Sequence, residues 1–189
     1  MTAETLPSRE QALSLLHEWV QNPGLRKHCY AVEAAMSAYA RHYGEDADRW
    51  ALTGLIHDFD WERHPDAQRH PMDGVKLLRE KGWPEDICRA VLGHASYSGV
   101  PRDTRMARAL FACDELCGFL VACALITPDK SLERVEVASV LKKMKRADFA
   151  RNVNRDDIVS GAAELGVELP EHIAFTLGAL RAIHGELGL

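Results

Sequence analysis

Hydrophobic and polar residues along the chain recur with the spacing of amphipathic helices. The clearest apolar stripe, which also includes a histidine, lies in segment 25–43 and consists of Leu25, His28, Val32, Met36, Tyr39 and Tyr43. No segment shows the sustained alternation or the Asn-Gly turn that is typical of strands and hairpins. The pattern therefore predicts an all-α domain with short connections.

The predicted helix boundaries follow from capping residues and from glycine and proline. Ser8 can cap a first helix that ends near Val20, and Asp103 can cap a long helix that ends near Ile126. Further helices are predicted over 25–43, 46–56, 71–82, from 84 to about 95, over 154–165 and over 170–187. A polar segment, 57–70, and a loop, 96–101, interrupt this series.

Composition narrows the class of protein. A chain of 189 residues, 47% of them hydrophobic and 27% charged, can form one domain with a substantial core. The net charge of −5 disfavours a general nucleic-acid binder. No segment resembles a secretory signal or a membrane span, and the five cysteines form no C-x-x-C pair. We therefore expect a cytoplasmic protein with reduced, buried cysteines.

A few polar residues occupy positions where burial is costly. His28, His94 and Asp114 fall on the apolar faces of predicted helices. A buried carboxylate costs several kcal/mol unless it is paired, protonated or bound to a metal. The dipeptide His57-Asp58 follows a predicted helix, where the backbone can turn both side chains toward one point. These residues are candidate metal ligands.

Imidazoles and carboxylates together form a mixed nitrogen and oxygen donor set. Such a set suits Fe, Mn, Zn or Co better than Ca, which prefers oxygen ligands alone. Each residue also has a simpler interpretation, because a lone histidine is often a core residue and a helical aspartate often pairs with arginine. Four further histidines are predicted at exposed or boundary helix positions, namely His17, His42, His172 and His184. The ordered set favours a metal site.

The order His28, His57-Asp58, Asp114 resembles that of the HD-domain superfamily of metal-dependent phosphohydrolases. The C-terminal tail of the chain resembles one uncharacterised bacterial branch of this superfamily. The segments LTGLIHDFDWE, HPMDGVKLL, VLGH and ALFACDEL carry the resemblance. It implies a helical bundle with a metal at its centre, formed by residues 25–127. An N-terminal helix (1–24) would pack on this core, and a C-terminal helical extension (128–189) would complete the same domain.

The resemblance also implies roles for individual residues. The first metal would bind His28, His57, Asp58 and Asp114, and His57 and Asp58 would be the catalytic pair. Asp58 would bridge to a second ion completed by His70 and His94, so one or two divalent ions of Fe, Mn, Co, Ni or Zn are expected. His64, which shares the sequence Arg-His-Pro with His70, is the alternative ligand.

This chain departs from the family pattern after the dipeptide. Many members continue with Ile-Gly-Lys, whereas here Phe59-Asp60 follows, so any role of that lysine is in doubt. Asp60 could orient a ligand or could cap a turn or helix. His94 also lacks the neighbouring histidine of cyclic-di-GMP phosphodiesterases, which disfavours that substrate.

A basic segment, 142–151, follows the core in an otherwise acidic chain. Lys142 and Lys143, supported by Arg146, are predicted to bind a substrate phosphate, although a solvated helix face would have the same composition. The predicted function is hydrolysis of a small phosphate ester, expected to be a nucleotide, by metal-activated water. A di-iron oxygenase and a non-catalytic regulatory module are the alternatives. We expect no membrane or nucleic-acid polymer as partner, and the oligomeric state stays open.

Overall fold

The computed structural model describes residues 6–189, and within that range all regular structure is helical. Residues 1–5, the start of the predicted N-terminal unit, lie outside the described residues. The helices are α1 (Arg9–Trp19), α2 (Pro23–Tyr43), α3 (Ala47–Ile56), α4 (Met72–Glu80), α5 (Glu85–His94), α6 (Arg105–Leu125), α7 (Val137–Met144), α8 (Arg155–Leu165), α9 (Leu169–Ala182) and α10 (His184–Leu187). Short 3-10 turns occupy Ser96–Ser98 and Leu132–Arg134. The all-α class is confirmed.

Capping explains where two of these helices begin. Ser8 forms a capping box at α1, since its hydroxyl accepts from the Gln11 N–H and the Gln11 side chain accepts from the Ser8 N–H. The predicted Asp103 cap of α6 is wrong. Thr104 caps this helix by accepting from the Ala107 N–H at 3.1 Å, while Asp103 pairs with Arg89.

The C-terminal extension differs from the predicted pattern in two places. Helix α7 was not predicted, because eight residues give too few turns for a clear periodicity. The last predicted helix, 170–187, is interrupted at Ile183, whose ψ of 20° leaves the helical range and whose N–H bonds to the Leu180 carbonyl. Helix α9 therefore ends at Ala182, one residue before this break, and α10 begins at His184, one residue after it.

The buried helix α6 lies at the centre of the fold and packs against α2, α5, α8 and α9. Helices α2 and α3 are in especially close contact, because Gly54 has no side chain: a Cβ there would lie 2.8 Å from the Val32 carbonyl oxygen. This contact carries the end of α3 to the face of α2 that holds His28. The five cysteines are free and buried.

Among residues 6–189, no helix has both the length and the apolar character that a bilayer crossing requires.

Candidate metal centre

A first cluster of four donor side chains forms where α2, α6 and the end of α3 meet. Its members are His28, His57, Asp58 and Asp114. The Nε2 atom of His28 lies 3.0 Å from Asp114 Oδ1 and 3.2 Å from His57 Nε2. The His57 Nε2 atom is also 3.5 Å from Asp58 Oδ2. These separations suit ligand atoms that surround one ion, since metal bonds to nitrogen and oxygen are roughly 2.0–2.2 Å long.

A second cluster shares Asp58 with the first and adds His70 and His94. Asp58 Oδ1 lies 3.4 Å from His70 Nε2 and 3.3 Å from His94 Nε2, whereas its other oxygen, Oδ2, faces the first cluster. The two histidine Nε2 atoms are 3.2 Å apart. The carboxylate of Asp58 thus presents one oxygen to each cluster, as a bridging ligand would.

Hydrogen bonds donated by Nδ1 to backbone carbonyls orient two of the imidazoles. His57 Nδ1 donates to the Gly54 carbonyl at 2.7 Å, and His94 Nδ1 donates to the Val91 carbonyl at 2.5 Å. A neutral imidazole that donates from Nδ1 keeps a lone pair on Nε2. In the second cluster the Nε2 atoms of His70 and His94 lie 3.2 Å apart, so their lone pairs would repel without a proton or a cation between them. The donor set therefore fits one or two divalent transition-metal ions.

The electrostatics of the first cluster also favour a bound cation. Burial alone would lower the pKa of His57, but the nearby carboxylates of Asp58 and Asp114 outweigh it and raise the pKa to about 9. Burial would raise the pKa of both carboxyl groups, yet His57 and the other histidines hold these pKa values below their usual range. The interior of the cluster strongly favours positive charge.

Asp60 supports the second cluster from behind. Its buried Oδ1 accepts from His70 Nδ1 at 2.8 Å, and its Oδ2 accepts from the Gly74 N–H at 3.1 Å. Gly74 leaves the space for this carboxylate, because a Cβ there would lie 2.5 Å from Asp60 Cγ. Asp60 therefore orients the ring of His70 and also binds the first turn of α4, so its contacts are compatible with both interpretations made from the sequence.

The structure also separates the two candidate histidines of the 57–70 segment. His70 is buried in the second cluster, whereas the ring of His64 packs against Trp19 with centroids 6.0 Å apart. Trp61 covers the other side of His70, with ring centroids 4.9 Å apart. The repeated Arg-His-Pro sequence thus places only its second histidine among the donors.

An open cleft of about 620 Å³ leads to both clusters and is called the metal cleft below. Besides donor residues, its walls contain Trp61, Ala95, Ser96, Tyr97, Phe111, Glu115, Gly118, Val153, Asn154 and Asp157. A larger groove of about 760 Å³ lies between α1, α2 and α9, but no histidine lines it. We assign function to the metal cleft because its chemistry, rather than its size, distinguishes it.

Several residues that line the metal cleft were not identified from the sequence. Glu115 directly follows the predicted ligand Asp114, and burial raises its pKa to about 7. Asp157 lies in the first turn of α8, and Tyr97 lies on the 3-10 turn after α5. Their approach to the donors depends on tertiary packing, so only the adjacency of Glu115 to Asp114 was a usable signal.

The predicted phosphate-binding residues lie elsewhere. Lys142, Lys143 and Arg146 are absent from the lining of the metal cleft. The Lys143 ammonium donates to Ser139 Oγ at 2.5 Å, and Arg146 pairs with Asp148 at 2.6 Å. The structure therefore does not bring these cations to the donor clusters.

The part of the tail that does reach the metal cleft comes a few residues later. Val153 and Asn154 form part of the wall just before α8. The Arg155 guanidinium holds this loop by donating to the carbonyls of Phe149, Ala150 and Val153. An arginine thus acts here as a brace for the backbone rather than as a group that faces the cleft.

The predicted exposed or boundary position of His172 is wrong. This histidine is fully buried, where its Nδ1 accepts from the Tyr39 hydroxyl at 2.6 Å and its Nε2 donates to the Ala112 carbonyl at 2.8 Å. Its polar atoms are satisfied inside the core, so an interior position is stable.

The HD domain family model matches residues 25–118, which include every donor residue of both clusters. Comparison with curated proteins and with solved structures gives no match for this chain. Helix α8, which supplies Asp157 to the metal cleft, lies beyond the matched range.

Proposed function

Because the chain belongs to the HD-domain superfamily of metal-dependent phosphohydrolases, we propose that it hydrolyses a phosphoester or phosphoanhydride of a small molecule. The observation that carries this proposal is the position of Asp58, whose two oxygens face different donor clusters at the base of one open cleft. A nucleotide is the substrate class that we propose to test first.

His28, His57, Asp58 and Asp114 would hold one ion, and Asp58, His70 and His94 would hold a second. Divalent ions bound there would supply water of lowered pKa and would polarise the oxygens of a phosphoryl group. The hydrogen bonds of His57 and His94 to backbone carbonyls fix the orientation of their rings before any ligand arrives.

Asp60 and Trp61 have supporting roles in this proposal. The carboxylate of Asp60 fixes the ring of His70 with Nε2 toward the second cluster, because it accepts the Nδ1 proton of that ring. The indole of Trp61 packs on His70 and limits the access of water to it. Tyr97, half of whose surface is exposed, lies on the wall of the cleft and can contact the organic part of a substrate.

The test combines metal analysis with an activity screen. Protein purified without chelator is analysed for bound metals and then assayed for phosphate release from nucleotides and sugar phosphates with Mn, Fe, Co, Ni or Mg. Asp114→Asn should lose both bound metal and activity, whereas the matched variant Asp73→Asn, at an exposed position of α4, should keep both. Oxygen consumption without phosphate release, or a metal-free and inactive protein, would contradict the proposal.

A further inference from the structure

The charged side chains that line the metal cleft outside the donor clusters are all acidic. Apart from the donor residues, its charged lining residues are Glu115 and Asp157, and no lysine or arginine of the described chain lines it. Sites that bind several phosphates ordinarily compensate their charge with arginine or lysine in addition to metal ions. This cleft offers such compensation only at the donor clusters.

Neither carboxylate forms a salt bridge with a lysine or arginine among residues 6–189. The backbone N–H of Asn154 donates to the Glu115 carboxylate at 3.1 Å, and the side-chain amide of Asn154 donates to the Asp157 carboxylate at 2.7 Å. Both of these donor groups are uncharged. Arg102 approaches the same wall, where its guanidinium lies 3.8 Å from the centroid of Phe111. That guanidinium is already engaged, since it pairs with Glu164 at 2.7 Å and donates to the Gly93 carbonyl at 2.9 Å.

We propose that the metal cleft selects phosphomonoesters with a single phosphoryl group and rejects diphosphates and triphosphates, with Glu115 and Asp157 as specificity-determining residues. The inference rests on the proposed function, because the first phosphoryl group is placed at the donor clusters. A further phosphoryl group then extends into the cleft toward the two carboxylates. Like charges that line the same cleft should disfavour the larger anion by about tenfold.

The activity test compares AMP and ADP, which share one organic part, at pH 8 with manganese-loaded protein. We expect a higher kcat/KM for AMP. The double variant Glu115→Gln, Asp157→Asn should raise the kcat/KM of ADP relative to that of AMP by about tenfold, mainly through KM. Added salt should weaken the discrimination of the unmodified protein, because exposed charges are screened.

The matched control is Asp156→Asn, which removes one negative charge from an exposed position beside Asp157 in the first turn of α8. It should leave the AMP to ADP ratio unchanged. Preference of the unmodified protein for ADP, or a ratio that the double variant does not move, would overturn the inference.

A binding measurement separates this inference from the proposed function. Methylphosphonate and methylenediphosphonate, which carry one and two phosphonate groups and resist hydrolysis, are titrated into the metal-loaded protein by calorimetry. The double variant should gain affinity for the diphosphonate about tenfold more than for the monophosphonate. Equal gains overturn the inference even if phosphatase activity is found, and the expected gain supports it even if no ester is hydrolysed.

Discussion

Two histidines, His57 and His172, are both fully buried, yet their surroundings differ. Each ring nitrogen of His172 has a partner in the protein, whereas His57 uses Nδ1 for the Gly54 carbonyl and turns Nε2 toward other donors. Burial lowers the pKa of His172, but at His57 the carboxylates of Asp58 and Asp114 reverse that effect. Burial alone therefore does not identify a candidate ligand histidine. The distinguishing feature is the group that the second ring nitrogen faces.

The largest effect is expected at His57. His57→Ala removes one donor from the first cluster and should reduce kcat/KM by more than about a hundredfold. This loss exceeds the roughly 10- to 100-fold loss that follows when only a hydrogen-bond partner of a metal ligand is removed. Metal content after dialysis should fall in parallel. The same measurements on His172→Phe provide the comparison, and equal metal loss in both variants would remove the distinction between the two histidines.

Asp60→Asn should affect the second cluster alone. The amide cannot accept from both His70 Nδ1 and Gly74 N–H as the carboxylate does, so we expect metal affinity at the second cluster to fall about 10- to 100-fold. Titration with manganese should show one weakened and one unchanged binding step. Asp66→Asn, at a partly exposed position in the same segment where Asp66 pairs with Arg69, is the control. Weakening of both steps would contradict the assignment of Asp60.

His172→Phe should reduce stability while the metal centre stays intact. The substitution leaves the Tyr39 hydroxyl and the Ala112 carbonyl without their partner, and each unpaired buried group costs about 1–3 kcal/mol. Urea unfolding should show a lower midpoint, and metal content should equal that of the unmodified protein. An unchanged midpoint would mean that this hydrogen-bonded pair contributes nothing to stability.

The smallest effect concerns pH. Because burial lowers the pKa of His172 in the folded state, the unfolded state binds more protons once the pH falls below about 6.5. The stabilisation from neutral His172 is thus fully present above about pH 6.5 and declines as the pH falls toward the folded pKa. Between about pH 7.5 and 5.5, the unmodified protein should lose up to about 1.4 kcal/mol more than His172→Phe. Urea unfolding with chelator present measures this, and parallel pH profiles would contradict it.

Features that depend on local sequence were largely predictable. The periodic segments of α2 and α6 and the Ser8 cap gave the helical class, and the apolar-face positions of His28 and Asp114 marked candidate donors. Features that depend on packing between distant segments were not predictable. The interior position of His172 requires Tyr39 and Ala112, which are far away in sequence, and no local pattern encodes their meeting.

The basic segment shows the same limit. Its composition suggested a phosphate clamp, but composition does not specify the path of the chain after α6. In the structure Lys143 bonds within α7 and Arg146 pairs with a neighbour, while the uncharged Val153 and Asn154 reach the metal cleft. Local charge therefore predicted neither the location nor the chemistry of this wall.

The donors of both clusters lie between residues 28 and 114, whereas Asp157 comes from α8, on a loop and helix braced by Arg155. The proposed metal ligands and the proposed specificity residue Asp157 are thus encoded in separate stretches of the chain. If the proposal holds, residues 149–157 could be grafted from one such protein onto another to change the accepted substrate while every donor residue stays in place. Under the proposed function, substrate specificity could therefore change by exchange of a short segment that contains none of the donor residues.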